Sequence, residues 1–352
     1  MKNKIAQKDY KPPDIFSPSF KITIIYNNVY DVSGGEPADI LADEDTLKTA
    51  KAIYDQLKKL GLHVELLEIN EKNFIDLLTY QTSFYFNLCY GIGSIPKTEH
   101  EIPRLLDFIG IPYTGANSDS VILTTDKIST KKIFVKLNIP TPQFEVFNKN
   151  DRIVNGRIRY PLIAKPAMED CSLGVHNDAV VKNNIQLKKK VELLLSEYNE
   201  PILVEKFINT RELNITLIGN GDNVLVLPIS EIVFGPSFDS QKKWKIVDFE
   251  AKWRENSLNY KDTIGVCPTK IDPLILKKIT RYAISAYKAC GCRDYARIDV
   301  RLDEKNTPYF LEINVNPGIG PGDGAVRSAK AAGYSYLKFL QKLIEITLAR
   351  YN

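Results

Sequence analysis

The sequence predicts an α/β protein whose N-terminal part contains a parallel sheet of strand–helix–strand units. Apolar runs typical of strands recur at Phe20–Tyr26, Val64–Ile69 and Ser83–Leu88. Between the first two, Thr46–Leu60 carries apolar residues at helical spacing, and Gly61 ends that helix. Alternating strands and helices favour a parallel sheet over residues 20–115.

The later elements mix helices, strands and loops. Loops or turns are expected at Asp31–Asp45, Tyr113–Ser118 and Gln241–Asp262. Helices are expected at Asp119–Leu137, Ile185–Tyr198, Pro273–Cys290 and about Tyr334–Arg350. Strands are expected at Tyr160–Lys165, Ile202–Phe207 paired with Glu212–Gly219, Val224–Val233, Tyr295–Leu302 and Tyr309–Asn314.

The composition suits a folded chain of two to three units. It has 352 residues and 44% hydrophobic residues, enough for a sizeable core. No run approaches the roughly 18 apolar residues of a membrane span, so no membrane partner is expected. The 47 basic and 43 acidic residues nearly balance, without a basic block, so no nucleic-acid partner is expected either.

Residues 1–19 are polar and contain three prolines, which predicts a flexible arm rather than a signal peptide. The five cysteines form no C-x-x-C pair, which favours reduced thiols and a cytoplasmic location. The three histidines are far apart in sequence, so a histidine-based metal site is not expected.

The most specific chemical pattern lies near the C-terminus. Arg297 and Asp299 share one face of a strand, and Glu312 and Asn314 share one face of the next. If the strands pair, Asp299, Glu312 and Asn314 converge as hard oxygen ligands for Mg²⁺. Arg297 beside them could hold phosphate or an oxyanion. The alternative is a salt-bridge ladder on a solvent-facing sheet, although inward carboxylates are costly without a cation.

Two weaker patterns precede it. The strand Leu162–Lys165 ends on a lysine, and the loop Pro166–Gly174 could lay backbone N–H groups over phosphates. The alternative is an ordinary turn. The strand Ile202–Phe207 presents the Glu205 carboxylate, which suits an adenine edge and a ribose hydroxyl, but alone it would be only a strand.

Together, these motifs resemble the ATP-grasp superfamily, and within it the D-alanine–D-alanine ligase family, over about Phe20–Ala349. The most specific pieces are Ile111–Gly115, Thr125–Lys127, the Lys165–Pro166 loop, Arg297–Asp299 and Glu312–Gly318. The resemblance implies an α+β ATP-grasp part that sandwiches ATP. It divides the chain into an N-terminal α/β domain (20–118), a central subdomain (119–207) and a C-terminal catalytic subdomain (208–352), after the arm (1–19).

The resemblance also implies roles for single residues. Those near ATP are Lys127, Lys165 and Ser172 at the phosphates, Glu205, Lys206 and Phe207 at adenine, and Glu212 at ribose. Asp299, Glu312 and Asn314 would hold two Mg²⁺ ions, with Mn²⁺ as an alternative. Arg297 and the backbone of Gly318 would stabilise the transferring phosphoryl group and the tetrahedral intermediate. Lys252, in an ω-loop that closes over the centre, would lie near the γ-phosphate.

The amino-acid side of the site departs from the family pattern. The family's glutamate before the first helix falls on Ala42, beside Asp43 and Glu44, and its ω-loop tyrosine is Trp253. A family serine that grips a carboxylate falls in Gly320–Gly324. Asp323 there would repel a carboxylate and attract an amine. Glu44, Trp253, Asp323 and Gly324 are therefore candidates for an altered substrate pocket.

These observations predict an ATP-dependent carboxylate–amine ligase that works through an acyl phosphate on small amino-acid or peptide substrates. One alternative is an ATP-grasp ligase that joins other amino acids, a peptide or a secondary metabolite. Another is a non-catalytic binding protein on the same frame. The resemblance further suggests a homodimer.

Overall fold

The computed structural model describes residues 15, 17, 19–27, 37–153, 156–169, 175–254 and 256–351, with only the backbone at 37–45, 249 and 253. Its strands are β1 (Lys21–Asn27), β2 (His63–Ile69), β3 (Phe84–Asn87), β4 (Phe144–Phe147), β5 (Leu162–Pro166), β6 (Val180–Val181), β7 (Ile202–Lys206), β8 (Arg211–Ile218), β9 (Leu225–Val226), β10 (Ser230–Phe234), β11 (Thr263–Val266), β12 (Tyr295–Leu302) and β13 (Pro308–Asn314).

The helices are α1 (Pro37–Lys58), α2 (Glu101–Ile109), α3 (Ser118–Thr125), α4 (Lys127–Lys136), α5 (Asn184–Tyr198), α6 (Pro236–Ser240), α7 (Phe249–Trp253), α8 (Leu258–Lys261), α9 (Pro273–Ala289), α10 (Gly324–Ala331) and α11 (Tyr336–Arg350). Short 3₁₀ helices occur at Phe74–Leu78 and Asn177–Ala179. None of the helices in these described ranges is both long and apolar enough to cross a membrane.

The first sheet confirms the predicted parallel pairing, with strand order β2-β1-β3. Ala50, Ile53 and Leu57 of α1 are fully buried in the core beneath it, as the helical spacing predicted. The same core takes in Leu340 and Ile344 of α11. The N-terminal sheet is therefore packed against the C-terminal helix, which joins the two ends of the described chain.

The helix α1 begins earlier than the sequence suggested. Asp31–Asp45 was expected to be a loop, but the structure has helix from Pro37 onward. Proline is well tolerated at the first helical position, and the following residues include Ala, Leu and Glu, which favour helices. The two glycines before Pro37 lie outside the described residues, so the correction concerns residues 37–45 alone.

Two antiparallel sheets follow. The central sheet has the order β4-β7-β5-β6 and is covered by α5. The larger sheet has the order β11-β10-β8-β12-β13, with β9 on β8, and α9 packs on it. Charged and polar side chains from both sheets line one cleft, which is described below.

The predicted pairing of Ile202–Phe207 with Glu212–Gly219 is wrong. β7 lies between β4 and β5 in the central sheet, whereas β8 lies between β10 and β12 in the larger one. Both edges of each strand are occupied, so the short link between them passes from one sheet to the other. Adjacent apolar runs indicate strands but do not show which sheet each one joins.

Other expectations also change in detail. Asp119–Leu137 is two helices, α3 and α4, and Val224–Val233 is interrupted between β9 and β10. Gln241–Asp262 is not plain loop, since it contains α7 and α8, and α10 was not predicted. The remaining predicted strands and helices are found within a few residues of their expected ends.

Candidate functional site

A cleft of 1230 Å³ gathers the predicted site residues whose side chains the structure describes. Its lining includes Lys127, Lys165, Glu205, Lys206, Phe207, Glu212, Lys252, Arg297, Asp299, Glu312, Asn314, Gly318, Asp323 and Gly324. Ser172 lies outside the described residues, as do the side chains of Glu44 and Trp253. Sequence positions almost 200 residues apart thus meet in one cleft.

The β12–β13 hairpin positions the two carboxylates of Asp299 and Glu312. Asp299 lies directly opposite Glu312, and Arg297 lies opposite Asn314. The register shifts just beyond Asp299, and this bulge turns Leu311 into the cleft. Leu311 was expected on the opposite, apolar face of the strand, so that expectation was wrong, because a bulge breaks the alternation of side chains.

Asp299 is buried and receives hydrogen bonds from three side chains. Arg297 donates to both carboxylate oxygens at 2.8 Å, and Asn214 of β8 donates to Oδ1 at 2.8 Å. Asn314 donates to Oδ2 at 3.1 Å. Burial alone would lower the pKa of Arg297, but Asp299 and Glu312 raise it well above its usual range. The guanidinium therefore stays charged beside the carboxylates.

Glu312 is the second carboxylate of the hairpin. Burial would raise its pKa, but Lys127, Lys165 and Arg297 lower it. Lys165 Nζ lies 3.9 Å from Glu312 Oε2. The carboxylate is thus ionised at neutral pH and surrounded by cations that would also attract phosphate.

The donor set fits Mg²⁺. Asp299, Glu312 and Asn314 offer carboxylate and amide oxygens, the hard ligands that this ion prefers. Within the described ranges, no group of three or more His, Cys, Asp or Glu side chains forms a complete metal cage. One or two carboxylates are nevertheless enough where phosphate oxygens and water complete the shell.

A buried ion cluster links two strands of the central sheet, β5 and β7, to α4. Glu205 of β7 lies 3.0 Å from Lys165 Nζ and 2.5 Å from Lys131 Nζ, and Lys131 is fully buried. Burial would raise the pKa of Glu205, but the two ammonium groups lower it to about 2. Burial lowers the pKa of Lys131, although Glu205 opposes the shift. Glu205 therefore fixes the position of Lys165.

Lys127 begins α4. The Asp126 side chain caps this helix by accepting the N–H groups of Ile128 and Ser129, at 2.9 and 3.2 Å. The Lys127 N–H donates to Ala167 O at 3.0 Å, and its ammonium donates to the Glu169 carbonyl. The break between α3 and α4 thus brings Lys127 to the loop that follows Lys165.

Phe207 and Glu212 lie along the link between the sheets. The Phe207 ring packs edge-on against Trp244 at 5.5 Å and lies 5.4 Å from the Arg301 guanidinium. Arg301 also donates to the Glu212 carboxylate and to Ile208 O. Burial raises the pKa of Glu212, and Arg301 opposes that shift.

The strand end proposed for adenine already uses two of its N–H groups. The Lys206 N–H donates to Gln143 O at 2.9 Å, and the Phe207 N–H donates to Pro161 O at 3.0 Å. Lys206 Nζ donates to Tyr160 O at 3.0 Å. These two N–H groups are therefore not free to bind adenine, and a base at this strand end would contact other backbone atoms.

The loop after Asn314 is shaped around Asp323. The Gly320 N–H donates to Asp323 Oδ2 at 2.6 Å. A Cβ on Gly318 would lie 2.6 Å from that same oxygen, so a side chain there would displace the Asp323 carboxylate. Asp323 was expected to attract a substrate amine, and the structure also gives it this role in the turn.

Lys252 lies on α7, exposed at the rim of the cleft. Asp248 caps that helix by accepting the Ala251 N–H at 2.9 Å, and burial raises the Asp248 pKa. The predicted ω-loop thus has a short helix that holds Lys252 in place.

Four neighbours of the site were missed from sequence: Lys131, Asn214, Arg301 and Arg327. Arg301 had a detectable signal, since it continues the alternation of Arg297 and Asp299 on the same strand face. Asn214 and Lys131 contact the site through other elements, and no local pattern marks them.

Comparison with known proteins shows several related sequences. The family model for the D-alanine–D-alanine ligase C-terminus matches residues 133–345. The D-alanine–D-alanine ligase of Bordetella pertussis is 30% identical over 306 residues, 86% of this chain and 89% of that protein. An uncharacterised protein of Sinorhizobium fredii, y4sG, is 32% identical over 276 residues, 78% of each chain.

Among solved structures, the D-alanine–D-alanine ligase of Bacillus anthracis in complex with ATP has a similar fold. The TM-score is 0.73 and the sequence identity 23%, with 94% of this chain and 98% of that chain covered.

Proposed function

The chain belongs to the D-alanine–D-alanine ligase family, and from this membership we propose that its cleft joins the carboxylate of one small amino-acid or peptide substrate to the amine of another through an acyl phosphate. It is an ATP-dependent ligase with the ATP-grasp fold.

The observation that carries the proposal is the convergence of charges in the cleft. Cations that suit phosphate, Lys127, Lys165 and Arg297, surround the facing carboxylates Asp299 and Glu312. A ladder on a solvent-facing sheet would not bury Asp299 to 8% exposure or surround it with donors. The presence of all of these charged side chains also argues against a non-catalytic binding protein.

In the first step, a substrate carboxylate oxygen attacks the γ-phosphorus of ATP, and the bond to the β,γ-bridging oxygen breaks to release ADP. Lys127, Lys165 and Arg297 would balance the charge on the transferring phosphoryl group. Mg²⁺ on Asp299, Glu312 and Asn314 would supply further neutralisation of phosphate charge. Glu205 would keep Lys165 directed at the phosphates.

In the second step, a neutral amine attacks the acyl carbon, the C–O bond to phosphate breaks, and the amine proton passes to the departing phosphate. Arg297 and the Gly318 N–H would stabilise the oxyanion of the tetrahedral intermediate. Loss of one such donor typically costs about 10²–10³ in rate. Water must stay out, because it would hydrolyse the acyl phosphate, and closure of the 241–262 segment with Lys252 would exclude it.

The nucleotide would lie between the two antiparallel sheets, with Glu212 at the ribose and Glu205, Lys206 and Phe207 near adenine. Ser172 would complete the phosphate loop. Glu44, Trp253, Asp323 and Gly324 remain the proposed substrate residues. We further expect a cytoplasmic location and a homodimer. Size-exclusion chromatography with light scattering would test whether the protein is a dimer.

The test is ADP and phosphate release from ATP and Mg²⁺ with D- and L-amino acids, singly and in pairs, and products identified by mass. Release with D-alanine alone, giving D-alanyl-D-alanine, would support the activity named for the Bordetella relative. Turnover only with other pairs would support a ligase of changed specificity. ATP binding without any product across the panel would contradict the proposal and favour the binding-protein alternative.

A further inference from the structure

The loop between β3 and α2 is held in place on the side of the first sheet. Thr98 Oγ1 accepts the Ile92 N–H at 2.9 Å, and Glu71, which follows β2, accepts the Ser94 N–H at 2.6 Å. The loop therefore has a shape fixed by its own contacts. Its next residue toward the cleft, Lys97, lies exposed at the rim.

Lys97 extends from this loop to the central sheet. Its ammonium donates to Glu200 Oε2 at 3.0 Å and lies 4.0 Å from Glu169 Oε1. The Lys97 side chain is 58% exposed, whereas the Glu200 side chain is 4% exposed. Lys97 also has a φ of 61°, a conformation that is costly for a lysine. Such a backbone conformation persists where the surrounding contacts fix the residue.

Glu200 also holds the segment that follows Lys165. Its second oxygen, Oε1, accepts the Met168 N–H at 2.7 Å. The neighbouring Ala167 N–H donates to Pro201 O at 3.0 Å. One buried carboxylate thus connects the loop on the side of the first sheet to the backbone beyond Lys165.

The same segment directs Lys127. The Lys127 N–H donates to Ala167 O at 3.0 Å, and the Lys127 ammonium donates to the Glu169 carbonyl. An ammonium group has three N–H donors, so it can keep this contact and bind phosphate as well. Met168, which Glu200 holds, lies between these two carbonyls in the chain. A shift of the Glu200 carboxylate would therefore move both contacts of Lys127.

Lys97 also separates two carboxylates of like charge. Burial raises the pKa of Glu169 and the charge of Glu200 adds to this shift, while Lys97 and Lys127 lower it. The hydrogen bond to Glu200 raises the pKa of Lys97, so its ammonium stays charged. Without that ammonium, Glu169 and Glu200 would repel each other beside the phosphate lysines.

We propose that Lys97 and Glu200 form a clamp that holds residues 166–169 and, through them, the two lysines that bind the β- and γ-phosphates of ATP. This rests on the phosphate roles proposed above for Lys127 and Lys165. Both members of the clamp are positioning residues, because they act on the backbone of the segment and not on the reacting atoms.

A double-mutant cycle tests the clamp. The variants are Lys97→Met, Glu200→Gln and the two combined, and glutamine keeps an acceptor for the backbone N–H. The control cycle is Lys188→Met, Glu192→Gln and the two combined, since these residues form an exposed pair on α5 at 3.7 Å. Calorimetry gives the Kd of each variant for ATP with Mg²⁺ and for AMP, which lacks the β- and γ-phosphates. The KM for ATP and kcat are measured in the ligation assay.

We expect each clamp variant to raise the Kd and the KM for ATP by about 3-fold to 10-fold. This range lies between the effect of an exposed ion pair and that of a hydrogen bond to a buried charge. The Kd for AMP should stay at the wild-type value. The double variant should bind ATP about as well as either single variant, because either change breaks the same pair. The control cycle should leave all constants unchanged.

Wild-type affinity for ATP in the clamp variants would overturn the inference. Equal losses of ATP and AMP binding would also overturn it, because the pair would then stabilise the cleft as a whole. Additive effects in the double variant would show that the two residues act independently and would refute the clamp. If Glu200→Gln does not fold, Lys97→Met at an exposed side chain still gives the comparison of ATP with AMP. Absence of product with wild-type protein would refute the ligase reaction, while the binding constants would still decide the clamp.

Discussion

Asp299 has one charged and two amide donors around its carboxylate, and each comes from a different position of the larger sheet. Arg297 is two residues away on the same strand, Asn314 is on β13, and Asn214 is on β8. An aspartate with this many donors is pre-oriented. Its free lone pairs are therefore directed by the protein before any ligand arrives.

We expect Asp299→Asn and Glu312→Gln to leave the fold intact and to lower ligation by at least about 10²-fold, as for loss of a group that stabilises charge in a transition state. Both substitutions keep the shape of the side chain and remove its charge. Product formation and the circular dichroism melting curve are the measurements. Wild-type-like ligation by both variants would contradict the metal assignment.

Glu205 makes the stability of the folded protein depend on pH. Its folded pKa of about 2 lies below its ordinary value of 4.5, so the unfolded chain binds the proton more readily. Its contribution to stability is fully present above pH of about 4.5 and is lost as pH falls toward about 2. Urea unfolding across that window should show a shallower pH dependence for Glu205→Gln than for wild-type protein.

Glu192→Gln is the matched control for this experiment, because Glu192 is exposed on α5 and, within the described part of the chain, forms a salt bridge with Lys188 alone, at 3.7 Å. Its pH dependence should equal that of the wild type. Glu205→Gln should also be less stable at neutral pH, since it leaves Lys131 buried without its anion. Equal slopes for Glu205→Gln and wild type would contradict the ion-cluster interpretation.

For single residues, the sequence predicts which side chains come together where the alternation along a strand alone decides this. The side-chain alternation predicted that Asp299, Glu312 and Asn314 would converge if their strands paired, and β12 does pair with β13. It fails for Leu311, because a bulge is not visible as a pattern. It also fails for Asn214, because the pairing of β8 with β12 is set by the whole sheet and not by neighbouring residues.

At the scale of elements, the break between α3 and α4 determines where Lys127 lies. Asp126 ends one helix and caps the next, so Lys127 occupies the first position of α4 beside the loop at Ala167. An Asp followed by helix formers is a recognisable N-terminal pattern. It was hidden here inside a longer apolar periodicity that predicted one continuous helix.

Replacing Asp126 with Ala should therefore have two effects. Loss of the cap should lower the free energy of unfolding by about 0.5–2 kcal/mol. Displacement of Lys127 should weaken ATP binding, measured by calorimetry. Asp119→Ala is the control, since Asp119 is exposed in the first turn of α3 and does not cap α4. A variant that loses stability but keeps ATP affinity would show that the break does not position Lys127.

At the scale of the whole molecule, polar contacts join parts of the chain that are far apart in sequence. Asn316 Oδ1 accepts the Ala116 N–H at 3.0 Å, and the Asn316 carbonyl accepts from the Tyr90 hydroxyl at 3.0 Å. Buried Asp294 binds Arg350 and the Gly115 N–H. The three-part organisation was expected from family resemblance, but none of these long-range contacts follows from a local pattern.

Because the cleft is lined from both antiparallel sheets, nucleotide should stabilise the chain as a unit. ATP with Mg²⁺ at 100 times Kd should add about 2.7 kcal/mol to the free energy of unfolding. This should raise Tm by several degrees. Lys165→Met should lose most of that rise, while Lys188→Met on the exposed face of α5 should keep it. An equal rise in both variants would contradict the phosphate role of Lys165.

The contact between Gly265 and Arg327 also has an evolutionary consequence. A Cβ at 265 would lie 2.2 Å from Arg327 Cζ, so a side chain there would require the end of the arginine side chain to move. We therefore expect the two positions to vary together among relatives. Where a smaller residue replaces the arginine, a side chain at 265 would meet no such contact.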